Sequence, residues 1–232
     1  MIKIEHLKKT YKENTVLDIP HLTIPKSECF GLVGNNGAGK TTLFRIILDL
    51  VSTTEGKVLI DDEDVSKTEQ WKRKVGAYLD EHMLLPYLTP DEYFGTLKKI
   101  YGLSKEDMDM HFEKFWEFFN GEILGKKKYI RDLSKGNSKK VGIAAAMLAH
   151  PEAVLLDEPF ENLDPSSQIR LKKLIIEEKK NNMVTFLISS HDLNHVTEIC
   201  DRIVLLEKGE IIKDLHEKGA MSDELNAYFN LS

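Results

Sequence analysis

The nine residues Gly34-Asn35-Asn36-Gly37-Ala38-Gly39-Lys40-Thr41-Thr42 constrain this chain more than any other stretch. The pattern G-x-x-x-x-G-K-T demands a strand before it and a helix after it. Both are legible. The apolar run Cys29-Phe30-Gly31-Leu32-Val33 precedes the loop, and Leu43, Ile46, Ile47 and Leu50 follow it at helical spacing. Glycines let the backbone wrap closely enough to aim successive N–H groups at phosphate oxygens, and the positive end of the following helix favours the anion held there. In such a loop Lys40 reaches the β- and γ-phosphates of a nucleotide. The Thr41 hydroxyl serves Mg²⁺, and Thr42 faces the α-phosphate side.

Composition narrows the setting of that loop. A chain of 232 residues, 41% hydrophobic and 30% charged, can bury a large core and reads as a single domain, 1–232, with room for a subdomain. Its net charge of −6, with lysines and arginines dispersed along the length, argues against a nucleic-acid surface. The two cysteines, Cys29 and Cys200, read as small buried hydrophobes, which suits a reducing compartment such as cytosol. Met1 to Glu5 lacks the layout of a signal peptide, and no apolar stretch approaches the roughly 20 residues that a membrane span needs. Any membrane role must come through a partner.

Taken in order, Ile2 and Ile4 alternate with Lys3 and Glu5 as a half-buried strand leading to Tyr11. Tyr11 either stacks on a purine or packs on its own sheet, and the residues alone favour packing. Strands are expected at Lys57–Asp61 and Val75–Leu79, the latter ending at Asp80-Glu81, where two carboxylates serve a metal or are solvated. From about 88 the texture becomes helical and aromatic. Thr89-Pro90-Asp91-Glu92 and Ser104-Lys105-Glu106-Asp107 each open a helix; the aromatics either form mostly a small core of their own or in part line a docking surface, and composition does not separate the two.

Leu133-Ser134-Lys135-Gly136-Asn137 precedes a helix of small residues that must pack tightly; Ser134 is either its cap or a phosphate contact. Ala153-Val154-Leu155-Leu156 runs apolar without alternation, as a strand buried on both faces does, and ends in Asp157-Glu158. Adjacent acids there are costly unless used. Asp157 suits Mg²⁺, and Glu158, on the other side of the pleat, suits a general base acting on water. Asp164 and Pro165 open a further helix, and Val184–Ile188 is a buried strand ending at His191, which can donate to a phosphate or orient water. His191 and His195 also read as H-x-x-x-H, but Asp192 stands where a zincin has glutamate and no third zinc ligand follows. A hairpin turning at Lys208-Gly209 and a polar C-terminal helix close the chain.

The order of these pieces resembles the nucleotide-binding subunit of ATP-binding cassette (ABC) transporters over nearly the whole length. Tyr11 matches the adenine-stacking aromatic, Gly34 to Thr42 the Walker A loop, and Asp80 the Q-loop position. Leu133 to Asn137 match the signature, Asp157 Walker B, Glu158 the catalytic glutamate, Asn162 to Asp164 the D-loop, and His191 the switch histidine. The texture of Leu133 to Gly136, Pro159-Phe160 and Leu84 to Thr89 is similar to ABC-2 type exporter subunits.

This resemblance implies an α/β fold, a P-loop NTPase core of ABC ATPase type with an antiparallel β subdomain (within 1–87 and 136–232) and an inserted helical subdomain at about 88–135. It implies ATP and Mg²⁺ as ligands, with Thr41, Asp80 and Asp157 around the metal and Lys40, Glu158 and His191 in hydrolysis. It implies a head-to-tail pair with a second copy or a homologous subunit, in which Ser134, Lys135, Gly136 and Asn137 complete the site in trans beside Asp164. The remaining partner is an integral membrane permease, which holds the chain at the cytoplasmic face; nucleic acid is not among the partners. The alternative is a soluble ABC ATPase uncoupled from transport. Three positions depart from the family pattern: Asp80 replaces glutamine, the signature reads Leu-Ser-Lys-Gly-Asn, and Glu161-Asn162 replace small residues.

Overall fold

A computed structural model describes residues 1–216, so the expected C-terminal helix lies outside the described residues. The chain runs β1 (Ile2–Tyr11), β2 (Asn14–Ile24), β3 (Cys29–Val33), α1 (Lys40–Ile47), β4 (Glu55–Ile60), β5 (Glu63–Asp64) and β6 (Val75–Tyr78). Next come α2 (Pro90–Tyr101), α3 (Lys105–Phe119), α4 (Lys135–Ala146), β7 (Ala153–Leu156) and α5 (Pro165–Asn182). The last elements are β8 (Thr185–Ser190), α6 (Leu193–Ile199), β9 (Arg202–Glu207) and β10 (Glu210–Leu215).

Two sheets result. The first is antiparallel in the order β2-β1-β4-β5, and the second has the order β10-β9-β3-β8-β7-β6. In the second sheet β9, β3, β8, β7 and β6 pair in parallel, and the β9–β10 hairpin is antiparallel. β3, β7 and β8 are buried along their whole length, which is why β3, β7 and the centre of β8 (Phe186, Leu187 and Ile188) read as apolar runs without alternation. β2 alternates, burying Leu17 and Ile19 and then Leu22 and Ile24, with a slip at Pro20-His21; Pro20 is tolerated because β2 is an edge strand.

Parallel pairing fixes where chemistry can gather. Register aligns Val33 with Ser190 and Leu156 with both Ile188 and Tyr78, so the segments leaving β3, β6, β7 and β8 emerge along one edge. Ligands of open α/β sheets collect at that edge.

Packing divides between the two faces of the long sheet. One core joins the sheets through Ile4 and Leu17 of the first, Phe44 and Ile47 of α1, and Phe30, Val204 and Leu206 of the second. The other holds α4 and α5 and continues into Phe94, Phe115, Phe118 and Phe119 of α2 and α3. The aromatics therefore do not form a separate small core, contrary to expectation. Their apolar surface is continuous with that of Val141 and Ile143 on α4, so α2 and α3 are packed on the domain. The need for small residues in α4 is clearest at Gly142, where an added Cβ would stand 2.1 Å from the Tyr78 ring. Both expected helix starts exist, and each carries a capping box, Thr89 with Glu92 and Ser104 with Asp107.

Candidate functional site

Gly37 and Gly39 have left-handed backbones, φ 86 and 111, that a side chain would strain, and Gly39 is the N-cap of α1. Gly34 packs against β9, where a Cβ would meet the Leu206 carbonyl at 2.2 Å. This loop folds back over Lys40, which is 6% exposed. Lys40 Nζ donates to the Gly34 carbonyl at 2.6 Å and to that of Asn35 at 3.4 Å. It also stands 3.3 Å from Glu158 Oε1.

Thr41, on the first turn of α1, donates its hydroxyl to Asp157 Oδ2 at 2.5 Å. Ser189 Oγ donates to Asp157 Oδ1. Burial pushes the Asp157 carboxyl up, against the hydrogen bonds from Ser189 and Thr41 and the charge of Lys40. A hydroxyl and a carboxylate converging here are hard oxygen donors of the kind Mg²⁺ takes alongside phosphate and water. The donor set fits that ion.

Glu158 does not continue the pleat as its sequence position suggested. β7 ends at Leu156, and Glu158 has φ 46, which swings its carboxylate over the loop. Its Oε2 accepts from the backbone N–H of His191 at 3.2 Å and lies 2.9 Å from the His191 Nδ1. Lys40, Asp157, Glu158 and His191, drawn from three separate parts of the sequence, thus meet within one cluster. His195 turns elsewhere, with its ring 4.6 Å from that of Phe160 and its Nε2 3.6 Å from Asp192. Among the described residues no three His, Cys, Asp or Glu side chains form a metal-holding group.

Other expected residues lie apart from this cluster. Asp80 accepts from the His82 N–H at 2.9 Å and from Arg45 at 3.1 Å. Arg45 stands four residues beyond Thr41, on the same face of α1. Tyr11 is half exposed, with Lys9 Nζ 4.7 Å from its ring centre. Ser134 caps α4 by accepting from the Asn137 N–H at 3.2 Å, and Ser134 and Lys135 are exposed. A Cβ on Gly136 would meet the Asn162 carbonyl at 2.7 Å, so the segment from Ser134 rests on the chain's own turn before α5. Asp164 caps α5, and hydrogen bonds from Ser166 and Ser167 hold its carboxyl well below the usual range.

Three residues of this region carry no motif signal: Ser189, Lys139 and Arg45. Ser189 alone offered a hint, as a polar residue closing an apolar strand two places before His191.

A phosphate loop at the end of a central parallel strand, faced by two carboxylates that follow a nearby strand of the same sheet, defines a P-loop ATPase. The chain belongs to the ABC transporter family, whose profile matches residues 17–161. It is an ATP-hydrolysing cassette of that family, the ATP-binding subunit of a transporter. It is 37% identical to the uncharacterized ABC transporter ATP-binding protein YhaQ of Bacillus subtilis over 210 residues, covering 90% of this chain and 69% of that one. It is 32% identical to the lantibiotic transport ATP-binding protein SrtF of Streptococcus pyogenes, over 99% of this chain and 96% of that one. Its fold is similar to a bacterial ABC transporter cassette, MJ0796, solved as a dimer: TM-score 0.81, 25% identity, 93% and 98% of the two chains covered.

Proposed function

We propose that this subunit works as a head-to-tail pair of cassettes whose ATP hydrolysis drives export through a separate integral permease, with the ABC-2 type as subfamily. The observation that carries the reading is the split between the two halves of the site. Lys40, Thr41, Asp157, Glu158 and His191 share one cluster, whereas Ser134 to Asn137 bond within their own helix start. Ser134 and Lys135 are exposed where a second copy, or a homologous subunit, can present its own phosphate loop. The dimeric relative MJ0796 supports this arrangement.

In each half, the loop N–H groups from Gly34 to Thr42 and the Lys40 ammonium hold the triphosphate, and Tyr11 faces the adenine. Thr41 and Asp157 would hold Mg²⁺, which would neutralise phosphate charge, and Asp80 would support that end of α1 through Arg45. Glu158 takes the proton of the attacking water, and His191, tied to the same carboxylate, steadies the γ-phosphate. Catalysis is by positioning and charge stabilisation, as phosphoryl transfer requires. The Lys40 ammonium, paired with Glu158 in this structure, is drawn away by a triphosphate, which frees the carboxylate for water.

The helical subdomain at about 88–135 and the β6 side of the sheet enclose a groove of about 340 Å³ lined by Trp71, Tyr78, Met83, Tyr93 and Tyr101. A helix of the permease fits there. No helix among the described residues is long and apolar enough to cross a membrane. In this reading the permease holds the chain at the cytoplasmic face. Affinity capture of the tagged chain from detergent-solubilised membranes tests it. Recovery of an integral permease whose loss abolishes ATP-dependent extrusion supports the reading. Uptake instead of extrusion overturns the direction, and capture without any integral partner overturns the coupling.

A further inference from the structure

Glu158 holds a left-handed backbone, φ 46, which a residue with a Cβ keeps only where its surroundings impose it. Two side chains impose it here. Ser189 Oγ accepts from the Glu158 N–H at 2.9 Å while giving its own proton to Asp157 Oδ1. Lys139 Nζ donates to the Glu158 carbonyl at 2.6 Å. The Glu158 peptide is therefore gripped on both sides.

Both groups are polar where burial makes polarity costly. Ser189 is fully buried at the end of β8, behind Phe186, Leu187 and Ile188, where an apolar residue would pack without needing partners. Its donor is used on Asp157 and its lone pair by Glu158, so the hydroxyl sets the distance between the two acids and has no proton left for a substrate. Lys139 lies on α4, the helix capped by Ser134, and burial lowers its pKa against the charges of Glu161, Glu158 and Asp157. A half-buried ammonium committed to a backbone carbonyl is costly unless the position of that carbonyl matters.

We propose that Ser189 and Lys139 are positioning residues for hydrolysis, holding the Glu158 peptide in its left-handed turn so that the carboxylate faces the phosphate loop and His191. Because Lys139 sits on α4, the grip also makes the aim of Glu158 depend on where α4 lies. Closing α4 onto a second cassette and aligning the base become one motion. The inference rests on the reading of Glu158 as the base.

The test is steady-state ATPase kinetics on Ser189→Ala and Lys139→Met, alone and in a Glu158→Gln background, with Ser189→Thr and Lys139→Arg as conservative variants. Melting temperatures are measured alongside. Each single variant is expected to lower kcat by about 10–100-fold, with KM for ATP held within about twofold. The conservative variants recover most of the rate. In Glu158→Gln, where the aim of the side chain no longer matters, the same substitutions change the residual rate by less than about twofold. A normal kcat in both single variants overturns the proposal, as does an equal proportional loss with and without Glu158. Should Ser189→Ala unfold, the Lys139 pair decides by the same criteria. Full turnover in Glu158→Gln alone is a different result, and it overturns the assignment of Glu158 itself.

Discussion

Lys40 is the residue around which the cluster closes: buried, bonded to two carbonyls of its own loop, and 3.3 Å from Glu158. In the proposed function this ammonium is preorganised for phosphate charge, its remaining partner being a carboxylate that a triphosphate would displace. Glu158→Gln keeps the shape and removes the proposed base. Turnover is expected to fall by about 10²–10⁴ while ATP-bound pairs accumulate, read by phosphate release and by light scattering of the eluted species. A wild-type rate in this variant would remove Glu158 from the mechanism. Asp80 makes a separate case, since its two oxygens are committed to His82 and Arg45. If Arg45 and Asp80 relay α1 to the metal, Asp80→Ala should raise the Mg²⁺ concentration for half-maximal turnover by about tenfold. An unchanged midpoint leaves Asp80 as a structural partner of Arg45.

Among the elements, α3 carries a buried titratable group that the chemistry does not use. His111 is 2% exposed and lies against the rings of Phe94, Phe112 and Phe115. Burial, helped by the nearby charges of Lys114 and His150, pushes its pKa down to about 3. Above the ordinary histidine value of about 6.5 the ring is neutral whether the chain is folded or not, and it contributes no pH dependence. Between that value and about 3 the unfolded chain binds a proton that the folded one refuses, so stability falls as pH falls. The decline approaches about 1.4 kcal/mol per pH unit. Urea unfolding at about pH 7.5 and about pH 5.5, either side of the ordinary histidine value, should show this drop. His111→Leu should reduce it while leaving the higher-pH stability within about 1.5 kcal/mol. A drop of the same size in His111→Leu would place the acid sensitivity elsewhere.

Across the molecule as a whole, one arginine ties the two sheets together. Arg202 on β9 makes a two-pronged pair with Asp214, at 2.7 and 2.6 Å, and donates to the Thr23 carbonyl of β2 at 2.6 Å. It is 9% exposed and pairs through charge-assisted bonds, so its loss takes the two-pronged donor from Asp214, which keeps His216 Nε2 at 3.2 Å, and one donor from the Thr23 carbonyl. Arg202→Met should lower unfolding free energy by about 1.5–3 kcal/mol, read as a shift in the urea midpoint with an unchanged slope. A loss below about 0.5 kcal/mol would show that the apolar core between the sheets suffices to join them. The proposed pairing of two cassettes belongs to the same level, because Gly136 rests against the Asn162 carbonyl in the turn before α5 and Ser134 is spent on the cap of α4.

The phosphate loop, the buried parallel strands and the helix starts were legible in the residues alone. Each is written in neighbouring positions: glycines at fixed offsets, apolar runs without alternation, and capping residues three places before their partners. The family followed from the order of those pieces. Long-range pairing settled the rest, and it is visible only in the folded chain. There β2 forms despite Pro20, the aromatics of α2 and α3 join the main core, and Arg45 holds Asp80. Above all, Glu158 swings out of the pleat, and Ser189 and Lys139 close on its peptide. Those contacts join residues 31 and 19 positions apart, and no local pattern records them. They exist because parallel strands bring the ends of β7 and β8 side by side with the start of α4, and a left-handed turn must be held from outside.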